Sequence, residues 1–320
     1  MNMSNEIFSD CYKHWLSSVG NQPFWNVLAK KYNFQSGESL RSAFKRERKL
    51  RGIEKISDKI VEHKPNLPRV GIFDVEILPM TGMMWQLWDV DFSPEQVLQD
   101  TTFLSWAGKF LGNNSMYSDI LSPEEAIDRD PQRIVHSAFE FISQCDILVG
   151  HNFKAYDQKV LNTVFLEYEK PLRYRTIDTL EVAKNNFKFA SNKLAFINKK
   201  LNIRQKISNE GFALWRKCAE GDGESLEIML EYNIGDIFST EDLFLKFQPY
   251  INNMPNFSLY DTENNTSTCH CGNTSFNREG FWFTNSAEYE KYRCNSCGAL
   301  MRGKKNLLSK EKKDSLMVRL

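Results

Sequence analysis

Three short acidic stretches and one cysteine cluster hold the residue types in this 320-residue chain that could do chemistry. The first, residues 69–76, reads RVGIFDVE, an apolar run closed by Asp74 and Glu76. On a strand, residues i and i+2 point to the same face. Two carboxylates on one face of a buried strand are costly unless a cation sits between them, so the spacing points to a divalent metal. A D-x-E alone arises about once by chance in a chain this long. It recurs at Asp222/Glu224, in a Gly-flanked turn, and at Asp261/Glu263, in a polar Asn/Thr loop. Only Asp74/Glu76 closes an apolar strand.

The second stretch is GHNFKAYD, residues 150–157, after the apolar run ILVG. It opens a predicted helix whose inner members are Val160, Leu161, Val164 and Phe165, which places Asp157 in the first helical turn. Asn152 is a candidate for binding substrate or for fixing the loop. Asp157 could equally compensate the helix dipole, an effect of ~0.3–1 kcal/mol. The third stretch lies on a helix predicted from Glu224 to Phe247, with Leu226, Leu230, Ile237 and Phe244 as one stripe. Met229, Tyr232 and Asp236 share a face beside it, because i, i+3 and i+7 align. The same Y-x3-D spacing at Tyr174/Asp178 falls on a predicted strand, where it spans ~13 Å and cannot act on one atom. His151 reads as a packed or capping histidine, and Asp178 equally as a cap for the helix TLEVAK.

The last cluster is Cys269, Cys271, Cys294 and Cys297, in two knuckles each followed by glycine and separated by aromatic, strand-like residues. Four thiols so placed predict a zinc ribbon with one structural Zn²⁺. The first knuckle is C-x-C, tighter than the usual C-x2-C, which leaves open whether His270 replaces one ligand. Cys11, Cys145 and Cys218 are scattered and carry no such pattern.

These groups must be positioned by a core. Strands are predicted at 70–75, 83–89 and 102–110, close enough for an antiparallel meander. A helix at 131–144, strands at 146–150 and 173–178, and further helices to about residue 247 follow. A meander followed by alternating strands and helices predicts an RNase H-like α/β fold, a mixed sheet flanked by helices, over residues 69–250. Residues 63–68, with two prolines, read as a linker. Ahead of it, residues 1–62 hold helices at 6–20, 24–32 and from Gly37 onward, with a tight turn before the basic last one. That is a helix-turn-helix-like pattern, in which Arg41, Lys45, Arg46, Arg48 and Lys49 would meet nucleic acid; the alternative is a helical cap with a solvated basic face. The ribbon spans 265–303, and 304–320 is a basic tail that could clamp nucleic acid or simply aid solubility.

Net charge is zero, but it is unevenly placed. Residues 1–68 carry 12 Lys/Arg against 7 Asp/Glu, residues 264–320 carry 10 against 5, and the middle carries 19 against 29. Basic flanks around an acidic centre fit a nucleic-acid grip around a metal-binding core. No run reaches the ~18 apolar residues of a membrane helix, and MNMSNEIFSD lacks the apolar core of a signal peptide. A cytoplasmic protein with no membrane partner is expected.

Taken in order, FDVE (Asp74, Glu76), N-x3-Y-D (Asn152 to Asp157) and Y-x3-D (Tyr232 to Asp236) resemble the three motifs of the DEDDy 3′–5′ exonucleases. That family includes proofreading domains of family B DNA polymerases and stand-alone phage nucleases. The segment from Leu214 to Phe244 is similar to the third-motif region of the stand-alone members, which leaves room for a phage-encoded protein acting in a bacterial host. Ile77 departs from the pattern, since many relatives place a small hydroxyl residue there.

The resemblance implies that Asp74, Glu76, Asp157 and Asp236 hold two Mg²⁺ or Mn²⁺ ions, that Tyr232 orients the attacking water, and that 5′-mononucleotides leave the 3′ end of DNA. Replication or recombination proteins are the partners it implies. Two other readings stand beside it: a DNA-binding regulator or replication subunit using the fold as a scaffold, and a structure-specific endonuclease. Nothing in the sequence chooses DNA over RNA.

Overall fold

The computed structural model describes residues 7, 10–11, 23–50, 67–86, 88–89, 91–204, 211–261, 263 and 266–317. Its centre is a five-stranded mixed sheet. β1 (Val70–Leu78) pairs antiparallel with β4 (Thr102–Phe110), and β4 in turn with β5 (Met116–Ile120). On its other edge β1 pairs parallel with β6 (Ile147–Gly150), and β6 with β7 (Arg175–Asp178). The order is therefore β5-β4-β1-β6-β7, with the acid-bearing strand in the middle. This is the RNase H-like mixed sheet expected of the core.

One expected strand is absent. Residues 83–89 form no strand among the described positions; only a short ladder of β2 (Thr81–Gly82) with β3 (Val97–Gln99) lies nearby. Trp85 is 100% exposed and Trp88 81% exposed. Aromatic composition favours a strand only where a neighbour offers an edge. The free edge of β4 is taken by residues 116–120, whose MYSDI sequence signals a strand weakly.

Alternation along β1 sorts the core. Phe73 and Val75 face a cluster with Trp106, Phe141 and Leu161, while Val70 and Ile72 face one with Val149, Ile237 and Phe244. The first cluster covers one face of the sheet with α3 (Pro123–Asp128), α4 (Gln132–Ile142), α5 (Asp157–Tyr168) and α8 (Phe212–Ala219). In it, Phe141 stacks on Phe73 at 5.9 Å and on Phe110 at 4.9 Å. Gly108 permits that stack, since a Cβ there would lie 2.7 Å from the Phe141 ring.

The second cluster packs the opposite face with α6 (Thr179–Asn186), α7 (Leu194–Lys200) and the later part of the 25-residue α9 (Gly223–Phe247). Asp222 caps α9 by accepting from Ser225 N at 3.0 Å. No described helix is long and apolar enough to cross a membrane.

Ahead of the sheet, α1 (Pro23–Lys31) and α2 (Gly37–Leu50) are joined by a tight turn in which Asn33 is left-handed, φ 55°. They pack through Trp25, Leu28, Leu40 and Phe44, with Cys11 buried among them. Only Ile7, Asp10 and Cys11 of the expected 6–20 helix lie within the described residues. After the sheet, β8 (Phe276–Phe283), β9 (Glu288–Cys294) and β10 (Leu300–Arg302) form a small antiparallel sheet, and α10 (Lys310–Ser315) follows.

Candidate metal-binding site

Asp74 and Glu76 leave β1 on the same side as Val70 and Ile72, the side packed by α9. Two apolar residues thus anchor the strand, and the next two inward positions carry charge. The register shifts between Glu76 and Ile77, where β4 holds one extra residue, Leu104. A bulge next to a functional strand position re-aims the side chain beside it.

From α9, Asp236 meets these two acids. One carboxylate oxygen from each of Asp74, Glu76 and Asp236 lies within 4.8 Å of the other two. Asp236 is 3% exposed and the other two are half-buried. Three carboxylates at this separation repel one another strongly unless a cation is shared. Oxygen-only ligands suit a hard divalent ion, Mg²⁺ or Mn²⁺. The donor set therefore fits the metal expected of it.

Asp157 sits at the start of α5, buried, and its Oδ1 accepts from Val75 N at 3.1 Å. The fourth expected acid is thus fastened to the strand segment between Asp74 and Glu76, but it is not one of the converging three. Burial pushes its carboxyl up to about 7, against the hydrogen bonds from the backbone of Val75 and its own amide; the Asp178 charge adds to the rise.

The turn before Asp157 is held by Asp178. Its Oδ1 accepts from Asn152 N at 2.9 Å and its Oδ2 from Lys154 N at 3.1 Å. It also caps α6 through Leu180 N, as its position at a strand end led one to expect. Asn152 is left-handed, φ 68°, so its backbone makes the turn. Gly150 just before it admits no side chain, because a Cβ would fall 2.8 Å from the Phe153 ring. His151 Nε2 donates to the Asn192 carbonyl at 3.0 Å and Nδ1 lies 2.9 Å from Thr179 Oγ1, a packed role.

Tyr232 stands one turn before Asp236 on α9, partly buried, with its ring edge-on to Trp215 at 6.1 Å. Two further residues belong to this neighbourhood and were not singled out from the sequence. Asn233, fully buried, donates from Nδ2 to Asp74 Oδ2 at 2.7 Å. Tyr156, at the end of N-x3-Y-D, is 42% exposed; partial burial and then the Glu76, Asp157 and Asp74 charges raise its hydroxyl pKa. Its place next to Asp157 was the available signal. Asn233 had none, because a lone Asn beside a motif looks like any other.

The second centre is the cysteine cluster. The sulfurs of Cys269, Cys271, Cys294 and Cys297 all lie within 4.8 Å of one another. Cys269 to Cys297 is 3.5 Å and Cys271 to Cys294 is 3.7 Å. A tetrahedron with Zn–S of about 2.3 Å has edges of about 3.8 Å, so the four sulfurs fit zinc. The glycine after each knuckle is left-handed, Gly272 at φ 83° and Gly298 at φ 78°. The hydrogen bond from Cys269 pulls the Cys271 thiol down to about 5 against the effect of burial. His270 is exposed and is not among the four converging side chains.

Of the basic residues on α2, Arg46 is exposed and Arg41 lies 3.8 Å from Glu38. The side chains of Lys45, Arg48 and Lys49 lie outside the described ones.

Residues 108–248 match the family model of the RNase H superfamily. Among solved structures, the chain is similar to the structure of the family B DNA polymerase from the hyperthermophilic archaeon Pyrobaculum calidifontis. The identity is 15% and the TM-score 0.44, over 72% of this chain and 32% of that one. The chain thus spans about a third of the length of that polymerase. No curated protein matches it. The match to the family model begins inside β4 and leaves out β1, yet β1 is the central strand of the same sheet. The chain therefore has an RNase H-like fold, with residues 108–248 similar to the RNase H superfamily, and carries an acidic cluster of Asp74, Glu76 and Asp236 and a four-cysteine cluster.

Proposed function

We propose that this protein is a metal-dependent 3′–5′ exonuclease that hydrolyses terminal phosphodiester bonds of DNA and releases 5′-mononucleotides. The observation that carries this reading is the convergence of Asp74, Glu76 and Asp236, from two elements far apart in sequence, on an RNase H-like sheet. Asp157, tied to the backbone between the first two acids, completes the set of four.

Divalent ions bound there supply positive charge to the scissile phosphate and lower the pKa of the attacking water. The residues themselves do the rest. Asp74, Glu76 and Asp236 hold the ions, Asp157 closes the site from the α5 side, and Asn233 fixes the rotamer of Asp74. The Tyr232 hydroxyl orients the water, and Tyr156, exposed beside the acids, borders the substrate. The four cysteines hold a structural zinc that organises the C-terminal sheet.

The test is Mg²⁺- or Mn²⁺-dependent degradation of a 5′-labelled single-stranded oligonucleotide, with Asp74→Ala and Asp236→Ala beside it. A ladder shortening from the 3′ end, reduced at least ~10³-fold in both variants, is the expected result. Cutting of a circular single strand would replace the exonuclease by an endonuclease. No turnover with either metal, with tight duplex binding, would replace it by a DNA-binding role.

A further inference from the structure

Beside the cysteine cluster lies a cleft of about 690 Å³ between the C-terminal sheet and the segment leading into it. This is the volume of a site for a small organic ligand or a nucleotide unit. β8 and β9 contribute Phe276 and Tyr292, whose rings are 6.4 Å apart and inclined by 60°. The chain after β10 contributes Lys304 and Lys305. In the incoming segment the Ser258 and Thr268 hydroxyls bond to each other, and Ser258 Oγ donates to Asn256 Oδ1 at 2.6 Å, which holds that wall in place.

The charge of this wall is in surplus. Its acid, Glu290, accepts from the Tyr292 hydroxyl and lies 3.2 Å from Arg278 Nε, so it is already offset. Arg302, paired with Lys291, turns to the other face of the sheet, where it stands over the Tyr289 ring at 4.1 Å and donates to the Gly303 carbonyl at 3.3 Å, so the cations of the cleft are Lys304 and Lys305. Cations and aromatic faces in one recess match a ligand that is both polyanionic and planar. A single nucleic-acid strand has both properties in every unit.

We propose that this cleft is a second nucleic-acid site, apart from the acidic cluster. It holds a single strand through phosphate contacts to Lys304 and Lys305 and through stacking of a base on Phe276 or Tyr292. The proposal goes beyond the nuclease reading and does not depend on it, because binding needs no hydrolysis.

The experiment is fluorescence anisotropy of a 5′-fluorescein oligo-dT of ~12 nucleotides with the full chain, zinc retained and no magnesium or manganese added, over a range of salt. Lys304→Glu/Lys305→Glu should bind at least tenfold more weakly. Its log–log salt slope should be shallower by about 1.4, two phosphate contacts at ~0.7 each for a single strand. Tyr292→Leu should weaken binding and leave the slope unchanged.

Zinc content and amide-exchange protection of β8–β10 report whether the sheet is intact. If the charge-reversed variant loses zinc, Lys304→Gln/Lys305→Gln, outside the strands, carries the same test with the same slope change of about 1.4. Unchanged affinity and slope in a zinc-retaining variant would overturn the proposal and assign the cleft to an acidic protein segment. An inactive protein that binds as described would sink the nuclease reading and leave this one standing.

Discussion

The Asn233 side chain donates to Asp74 Oδ2 at 2.7 Å, joining α9 to β1 across 159 residues of chain. The acceptor is a carboxylate, so the bond is stronger than one between neutral groups. It fixes the orientation of the Asp74 carboxylate beside Glu76 and Asp236. Outer contacts of this kind to a metal-binding carboxylate are worth about 10–100-fold in affinity or activity. Asn233→Ala should therefore reduce turnover by that factor and weaken Mn²⁺ binding, while Gln at the same site, too long for the cavity, should not restore it. Single-turnover rates and manganese titration check this; an unaltered rate would show that Asp74 needs no such support.

Asp157 gives a dependence on pH with a defined sign. Its carboxyl is raised from 3.8 to about 7 by burial. A group raised in the folded state contributes stability that is fully present below pH ~4 and lost as pH climbs through about 7. Without added divalent ions, the protein should be less stable at pH 8 than at pH 5. Asp157→Asn can still accept from Val75 N, so it should flatten that dependence and gain at most about 4 kcal/mol at pH 8, at ~1.4 kcal/mol per pKa unit. The same variant should lose hydrolysis. Urea melts across this pH range, with and without Mg²⁺, decide the matter.

The cysteine cluster should hold one zinc per chain and lose it in Cys271→Ser. Structural zinc contributes on the order of 10–16 kcal/mol of binding energy in small peptides. With the ion gone, β8–β10 should lose amide-exchange protection while the five-stranded sheet keeps its own, because that sheet has a separate core in Phe73, Phe141 and Phe244. Protection lost throughout the chain would mean that the two are a single cooperative unit.

Lys109 on β4 donates to Glu241 on α9, both buried, and Glu241 Oε1 also lies 3.4 Å from Gly112 N. The pair fastens the helix that carries Asp236 to the sheet that carries Asp74. Removing one partner strands a buried charge, so Glu241→Leu alone should cost about 3–5 kcal/mol. Lys109→Met with Glu241→Leu should recover most of it. A double-mutant cycle by urea unfolding measures the coupling; additive losses would deny that the two charges act together.

Much of this was legible in the sequence for local reasons. Asp74 and Glu76 share a face because a strand has a period of two, and Tyr232 and Asp236 align because a helix has one of 3.6. Four cysteines near two glycines set their own chelate geometry within 29 residues of chain.

What local pattern could not decide was which segments become neighbours. Residues 83–89 have the composition of a strand, yet their described positions form none, because the β4 edge goes to 116–120. Asp157 reads as a fourth member of the acidic set, but its first bond is to the backbone of Val75. The Asn233 contact and the Lys109–Glu241 pair join residues distant in sequence. Such contacts depend on how β1, β4 and α9 pack in three dimensions, and no periodicity along the chain encodes that.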